Sequence, residues 1–287
     1  MRFLSLMTVL ALLASCDFPS TGETKTAVDP NHLPPLTGRE QSLLVGAQGA
    51  LAQGNVDAAE RDYLTAVGAS TGHVEAHLAL ARLYATQNQL EKQREVLLKA
   101  LGLQPNHPEL NYRLGKLELA QDNYAQALEA FKRGIVGEPN NIDLLSGAGV
   151  ASDMLGDHAQ AQRYYTRAIA QNPGADLSGA RTNLGMSYLL SEEPKRAVDV
   201  LKDEAKKPVA SETTRHNLAL AYGVLGRNTE AKALVKGELD EETRLLSVAR
   251  LREYWNDRSP EKNPLRPGIH DTPKTVAATP IVKTKNK

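Results

Sequence analysis

The sequence carries a single cysteine, Cys16, so no disulfide can form within the chain. Aromatic residues make up only 5% of it, with one tryptophan and three phenylalanines, fewer than a large β-sandwich uses to fill its core. Neither sign of charge dominates. With 34 Lys and Arg against 34 Asp and Glu, there is no sequence-wide positive field to attract nucleic acid. No apolar run reaches the roughly 20 residues of a membrane-spanning helix. What is abundant is alanine and leucine, within a hydrophobic share of 41%. Both are strong helix formers that lose little side-chain freedom in a helix. The chain is therefore read as helical and globular beyond its N-terminus.

The first residues have the form of an export signal. Arg2 supplies positive charge, and Phe3 to Leu13 is apolar apart from Ser5 and Thr8. That length suits a signal-peptide core. Leu13-Ala14-Ser15-Cys16 then resembles the bacterial lipobox, an apolar residue and two small ones before an obligatory cysteine. Small residues let a peptidase approach the bond, and the thiol accepts diacylglycerol as a thioether. Residues 1–15 are expected to be a lipoprotein signal peptide, and Cys16 the lipidated residue. The alternative is an ordinary signal peptide with an incidental cysteine, which would leave an unprotected thiol in an oxidising compartment. Each buried methylene contributes about 0.8 kcal/mol, so two or three acyl chains hold firmly to a bilayer. Asp17 resembles the residue that retains lipoproteins in the inner membrane of enteric bacteria, which leaves the choice of membrane open. Residues 16–39 hold Pro19, Pro30, Pro34 and Pro35 among Ser, Thr and Gly, and read as a flexible tether. Such a segment spans roughly 25 Å on average, so the body, expected to face the periplasm, can stand off the bilayer.

From Thr37-Gly38-Arg39-Glu40, which has capping-box spacing, a period of 34 residues begins. Leu114-Gly115, Ala127, Phe131 and Pro139 recur as Ala148-Gly149, Ala161, Tyr165 and Pro173, and one period earlier as Leu80-Ala81, Leu97 and Pro105. The expected unit is a helix pair, A and B. Gly115 and Gly149 are expected where helix A touches helix B, with Ala127 and Ala161 opposite and Phe131 and Tyr165 filling the gap to the next unit. Prolines stop helix B because they cannot continue its hydrogen-bond ladder. Gly54, Asn88, Asp122, Gly156 and Gly226 mark the turns between A and B. Six units follow, about 40–73, 74–107, 108–141, 142–175, 178–211 and 212–245, with two residues inserted before the fifth. The first keeps Ala59, Tyr63 and Ala66, the fifth Leu184-Gly185, Tyr188 and Ala197, and the sixth Leu218-Ala219, Tyr222 and Ala231. These landmarks resemble tetratricopeptide repeats. The implied fold is an all-α superhelical solenoid of about six helix pairs over residues 40–255.

Leu239 to Trp255 reads as one more amphipathic helix, buried through Leu245, Leu246, Val248, Ala249, Leu251 and Trp255, whose task is to cover the open end of the stack. Residues 256–287 are Pro-rich and end in Lys283-Thr284-Lys285-Asn286-Lys287, the composition of a disordered basic tail.

No catalytic, cofactor or metal constellation stands out. His73-Val74-Glu75-Ala76-His77 departs from the zinc-protease motif, whose Glu directly follows the first His, and His77 falls at a packing position. Ser146-Gly147-Ala148-Gly149 fits neither a P-loop nor a nucleophile elbow. Paired Glu and Asp are expected on solvated helix faces. The chain is read as a binding protein and not an enzyme.

A solenoid of this kind lines its concave face with A helices. The inward positions include Arg82, Tyr112, Arg113, Lys116, Ser146, Asp153, Met154, Thr182, Met186 and His216. This mixture suits an extended peptide or protein segment. Asn183 and Asn217 lie one period apart, and two amides in register can grip a peptide backbone without reading its sequence. Equally, each Asn can belong to a packing pattern of the repeat. Arg82, Tyr112, Arg113, Lys116, Asp153, Asn183, Met186, His216 and Asn217 are the candidate peptide-binding set.

A lipobox, a tether and repeats ending in Arg215-His216-Asn217-Leu218-Ala219-Leu220-Ala221-Tyr222-Gly223-Val224-Leu225-Gly226-Arg227 together resemble the TadD proteins, tetratricopeptide lipoproteins of the tight-adherence, or Flp, pilus machinery. Thr182-Asn183-Leu184-Gly185-Met186-Ser187-Tyr188, with Glu193-Pro194 and Ala197, resembles their penultimate repeat. The resemblance covers about 40 to 255 and implies an accessory that helps assemble or localise the outer-membrane secretin of the pilus. It favours the outer membrane, against Asp17. The alternatives are an adaptor for a cell-wall synthase or an exopolysaccharide exporter and, last, an enzyme with an unrecognised site.

Overall fold

The computed structural model describes residues 36–69, 74–172 and 175–257. The signal peptide, Cys16, Asp17, most of the tether, His73, Pro173 and the tail beyond Asp257 lie outside the described residues. Among the described residues there are thirteen α-helices and no strand. The first six are α1 (Gly38–Ala52), α2 (Val56–Ala69), α3 (Glu75–Thr86), α4 (Leu90–Leu103), α5 (Pro108–Ala120) and α6 (Tyr124–Gly137). Then follow α7 (Ile142–Met154), α8 (His158–Gln171), α9 (Ser178–Leu190), α10 (Pro194–Glu204), α11 (Glu212–Val224), α12 (Asn228–Leu234) and α13 (Glu241–Asp257). From α1 to α12 they form six A–B pairs. Each A helix packs on its own B helix and, from the second pair onward, on the B helix before it, which makes a solenoid.

Local chemistry sets each element. Thr37 caps α1 through a reciprocal box: its hydroxyl accepts from Glu40 N–H, and Glu40 Oε2 accepts from Thr37 N–H at 2.8 Å. Helices α4 and α6 end two residues before Pro105 and Pro139. The A–B turns share one geometry. A left-handed residue stands at Gly54, Asn88, Asp122, Gly156, Glu192 and Gly226. The amide of the next residue then donates to the carbonyl five positions back, as from Gln89 to Tyr84 at 2.9 Å and from Arg227 to Tyr222 at 2.8 Å. This satisfies carbonyls that a helix end leaves open. Glycine, asparagine and aspartate announced five of these turns in the sequence. The sixth is held by Glu192, a residue type with no turn signature, at φ 65°.

The repeat landmarks are core. Ala59, Ala66, Ala81, Leu97, Ala127, Phe131, Ala161, Tyr165, Ala197 and Ala231 have no exposed surface. The glycines work differently from the sequence expectation, which set them against alanines of helix B. A Cβ on Gly115 would meet the Phe131 ring at 2.6 Å, and one on Gly147, in the next A helix, would meet the same ring at 2.5 Å. Two glycines thus clasp one phenyl ring across a repeat boundary. Gly149 likewise faces the Tyr165 ring, and Gly185 faces Leu201. Fully burying such a ring contributes roughly 1.5–3 kcal/mol.

Acidic side chains do not all lie on solvated faces. Glu118 is buried and accepts a bidentate pair from Arg94 at 2.8 and 3.0 Å, which ties the second repeat to the third. Glu204, also buried, receives Arg181 and Ser178.

The last helix departs furthest from its sequence reading. Leu245 and Leu246 are 48% and 46% exposed and Ala249 is exposed, while Arg244, Val248, Leu251 and Tyr254 are buried. The start of α13 is tied to α12 by Lys232–Glu241 and by Arg244 donating to Asn228, but its main packing is on α11 and α9.

Candidate functional site: the concave groove

The face expected to be concave carries rows that run across successive A helices. One row is Leu44, Leu78, Tyr112, Ser146, Thr182 and His216. A second is Gln48, Arg82, Lys116, Val150, Met186 and Leu220. A third is Leu51, Ala85, Leu119, Asp153, Leu189 and Gly223. Each row repeats every 34 residues, with 36 at the insertion before the fifth repeat, so each marks one place on the A helix.

Over repeats one to three the rows stay open. Arg82 is 60% exposed by its side chain, and Glu109 stands between it and Arg113. Lys116 lies over the Tyr112 ring at 5.3 Å, and that ring packs at a tilt on Phe131 with centroids 6.4 Å apart. Burial, with the negative charges of Asp143 and Glu109, pushes the Tyr112 hydroxyl well above its ordinary value, so it stays protonated and able to donate. The open half therefore offers two cations beside the Tyr112 ring, on a floor that also holds Leu44, Leu78 and Leu119. This is the chemistry of a surface for an acidic or mixed peptide segment.

Over repeats four to six the same rows are closed. Val150, Met186, Leu189 and Leu220 are 6%, 1%, 0% and 5% exposed and share one apolar cluster with Val248, Leu251 and Tyr254 of α13. Val248 sits on Gly223, where a Cβ would come within 2.6 Å of its methyl. The Trp255 indole N–H donates to the Leu189 carbonyl at 2.8 Å, and Arg252 donates to the Val224 carbonyl.

A buried polar cluster lies at the far end of α13. Asp153 Oδ1 accepts from His158 Nδ1 at 2.8 Å and from the Ser187 hydroxyl at 2.8 Å, and Oδ2 accepts from the Tyr165 hydroxyl at 3.1 Å. Burial pushes the Asp153 carboxyl upward, opposed by those three hydrogen bonds. His158 Nε2 lies 3.0 Å from the Tyr254 hydroxyl, which donates to it in the tautomer whose Nδ1–H faces Asp153. The trio of Ser, His and Asp is not a nucleophile device. Ser187 hydrogen-bonds Asp153 rather than the imidazole, and all three are enclosed. Among the described residues no group of three or more His, Cys, Asp or Glu could hold a metal.

The candidate residues therefore separate. Arg82, Tyr112, Arg113 and Lys116 fall together in the open half. Asp153 and Met186, expected on an open surface, are 4% and 1% exposed, because α13 and its apolar cluster lie over that stretch of the groove. Asn183 and Asn217 are 6% and 1% exposed, so neither amide is presented to a ligand in this arrangement. His216 is at the edge, with Nε2 3.2 Å from Glu238. His77 is buried, as packing required. The residues that sequence reasoning missed are His158 and Tyr254, while Trp255, expected to cover the end of the stack, reaches Leu189 in the groove. Their signal was present in the second and third rows, which change from Arg82 and Lys116 to Val150, Met186, Leu189, Leu220 and Gly223, a floor too apolar to face water.

The chain belongs to the tetratricopeptide-repeat family, whose model matches residues 44–108, 94–142, 112–176 and 148–210. Such repeats form protein-binding scaffolds, here as an all-α solenoid. Solved structures share the fold at low identity. PilF of Pseudomonas aeruginosa is 16% identical, with 77% of this chain and 98% of that chain covered, at a TM-score of 0.58. YrrB, described as a tetratricopeptide protein with an unusual peptide-binding site, is 18% identical over 66% of this chain and 97% of its own, at 0.53. A MamA protein is 24% identical over 60% and 97%, at 0.52. No curated protein matches the chain in sequence.

Proposed function

We propose that this chain is a lipid-anchored scaffold, facing the periplasm, that assists assembly or localisation of a Flp pilus secretion complex by holding a segment of its secretin. The open half of the groove carries the reading. Arg82 and Lys116 present two positive charges beside the Tyr112 ring to an incoming segment. The assignment to the pilus rests on the lipobox and on the resemblance of repeats five and six to the TadD proteins. The P. aeruginosa PilF likeness lends it a precedent in fold alone. Cys16 supplies the anchor, and the outer membrane is the proposed location.

The test is a crosslinking pull-down from the native cell envelope with bound proteins identified by mass spectrometry, run on the native chain and on Arg82→Glu with Lys116→Glu. A secretin or other Flp-pilus component recovered with the native chain and lost with the variant supports the reading. Recovery of wall synthases or polymer exporters keeps the scaffold and discards the pilus. Cys16→Ser is expected to leave the protein unprocessed or release it from membranes. A processed variant still in the outer-membrane fraction would show that the anchor lies elsewhere.

A further inference from the structure

We propose that His107 is an acid-sensitive latch on the open half of the groove: neutral, it caps the helix that carries Tyr112, Arg113 and Lys116, and protonated, it gives that cap up.

A helix start leaves backbone N–H groups without a partner inside the helix, and an oxygen of Ser, Thr, Asp or Asn commonly accepts from one of them. Thr37, Asn141 and Ser211 do so at the start of α1, α7 and α11. At α5 the acceptor is a ring nitrogen. His107 has extended backbone, at φ −61° and ψ 120°, and its Nδ1 accepts from the Leu110 amide at 3.3 Å. Asn141 holds the same place one repeat later, at φ −66° and ψ 120°, and its Oδ1 accepts from the Leu144 amide at 3.0 Å. The two caps share a geometry and differ in the chemistry of the acceptor.

That difference makes one of them sensitive to pH. An amide oxygen accepts whatever the pH, whereas a ring nitrogen accepts only while it carries no proton. A protonated Nδ1 would face the Leu110 N–H donor to donor. Its charge would also fall at the positive end of the α5 dipole, where a cation is disfavoured. Burial of the ring works in the same direction and pushes the imidazole below its ordinary 6.5. The charged groups that act on it are acids: Glu109 of α5 itself, Glu75 of α3 and Glu138 just past α6, which oppose that fall without reversing it. A protonated ring therefore loses its partner in the cap and has carboxylates on three elements to turn toward.

The latch sits at the head of the binding face. Pro108 opens α5, and Tyr112 and Lys116 follow one and two turns later. Glu109 is the acid that stands between Arg82 and Arg113, so a cationic ring that turns toward it draws it away from those two guanidinium groups. In the same first turn the Asn111 amide donates to the Pro105 carbonyl at 2.8 Å and to the His107 carbonyl at 3.0 Å, which ties the helix to the loop between the second and third repeats. Release of the cap thus reaches both the charges and the floor of the open half. The latch rests on the open half being the binding face and not on the pilus, and its tests need no partner, so either can fail alone.

The protein to use is chain 16–287 with Cys16→Ser, with and without His107→Asn, which installs the cap that Asn141 already provides. Nitrogen NMR of the imidazole, on the chain with native His107, is expected to show the neutral ring protonated on Nε2 and titrating below 6.5. A neutral ring protonated on Nδ1, or a titration at or above 6.5, overturns the latch. Because the folded ring resists the proton, the unfolded chain takes it up first as pH falls. The cap's stabilisation is then complete above about pH 6.5 and lost as pH drops through the folded value. Between pH 7 and pH 5 the chain with His107 is expected to lose about 2–4 °C more in melting temperature than the variant. The other histidines are common to both chains, and equal losses overturn the proposal. Hydrogen exchange, corrected for intrinsic rates, gives a local reading. The Leu110 and Asn111 amides are expected to lose at least about fivefold in protection over that range relative to Leu144 and Leu145 under the Asn141 cap, and to keep it in the variant. Parallel behaviour of the two turns overturns the latch.

Discussion

Tyr254 brings its hydroxyl within 3.0 Å of His158 Nε2 across 96 residues of sequence, and so joins the last helix to the start of α8. Through His158 it also touches Asp153, the most enclosed carboxylate of the groove. Tyr254→Phe keeps the ring and removes the donor. The imidazole nitrogen is then left buried without it, at an expected cost of about 1–3 kcal/mol. Chemical denaturation of the two proteins checks this, and an unchanged midpoint would show that the hydrogen bond carries nothing.

Gly149→Ala tests the packing of the repeat. The new methyl would overlap the Tyr165 ring, which has no exposed surface to retreat into. Destabilisation of about 1–3 kcal/mol is expected. Gly49→Ala, in a helix position with open space around it, is the control and should not lower the melting temperature.

Glu192 stands in the left-handed region at φ 65° and is exposed. A residue with a Cβ is strained there by roughly 1–2 kcal/mol, and glycine is not. Glu192→Gly is expected to stabilise the solenoid by up to about 1 kcal/mol, after the extra entropy of glycine in the unfolded chain. A lowered melting temperature would mean that the carboxylate has a role the turn geometry does not require.

Glu204 governs an acid limb. Burial pushes its carboxyl up, but Lys207, Ser178 and Arg181 together outweigh burial and hold it below its ordinary 4.5. The unfolded state therefore takes up the proton first as pH falls. The stabilisation is complete above about pH 4.5 and is lost as pH drops through the folded value. Glu118 behaves alike, with Arg94 and Asn123 outweighing its burial. Glu204→Gln is expected to lower the melting temperature at pH 7 and to flatten its decline below pH 4.5, measured by thermal scans across pH 3–7.

The repeat was legible because its causes are local and recur. A left-handed turn residue, a proline two positions past helix B and an alanine where two backbones meet each act within a few residues of themselves, and the 34-residue period displays them several times. Glu192 escaped because its conformation is imposed by the two helices it joins and not by its own side chain. The glycine partners escaped because Phe131 sits between Gly115 and Gly147 only after two repeats have stacked.

The groove divides along the same line. That A helices face inward, and that Arg82, Tyr112 and Lys116 share one stretch, follows from period and register alone. That Asp153, Met186 and the apolar rows of repeats four to six are closed does not, because it depends on where α13 comes to rest. A helix of seventeen residues with an apolar stripe can bury that stripe against the end of a stack or within a groove. Both satisfy the hydrophobic effect, which is without direction. The choice was made by fit at long range: a missing side chain at Gly223, the carbonyl at Leu189 and an imidazole nitrogen at His158, brought into line by three stacked repeats and matched by Val248, Trp255 and Tyr254.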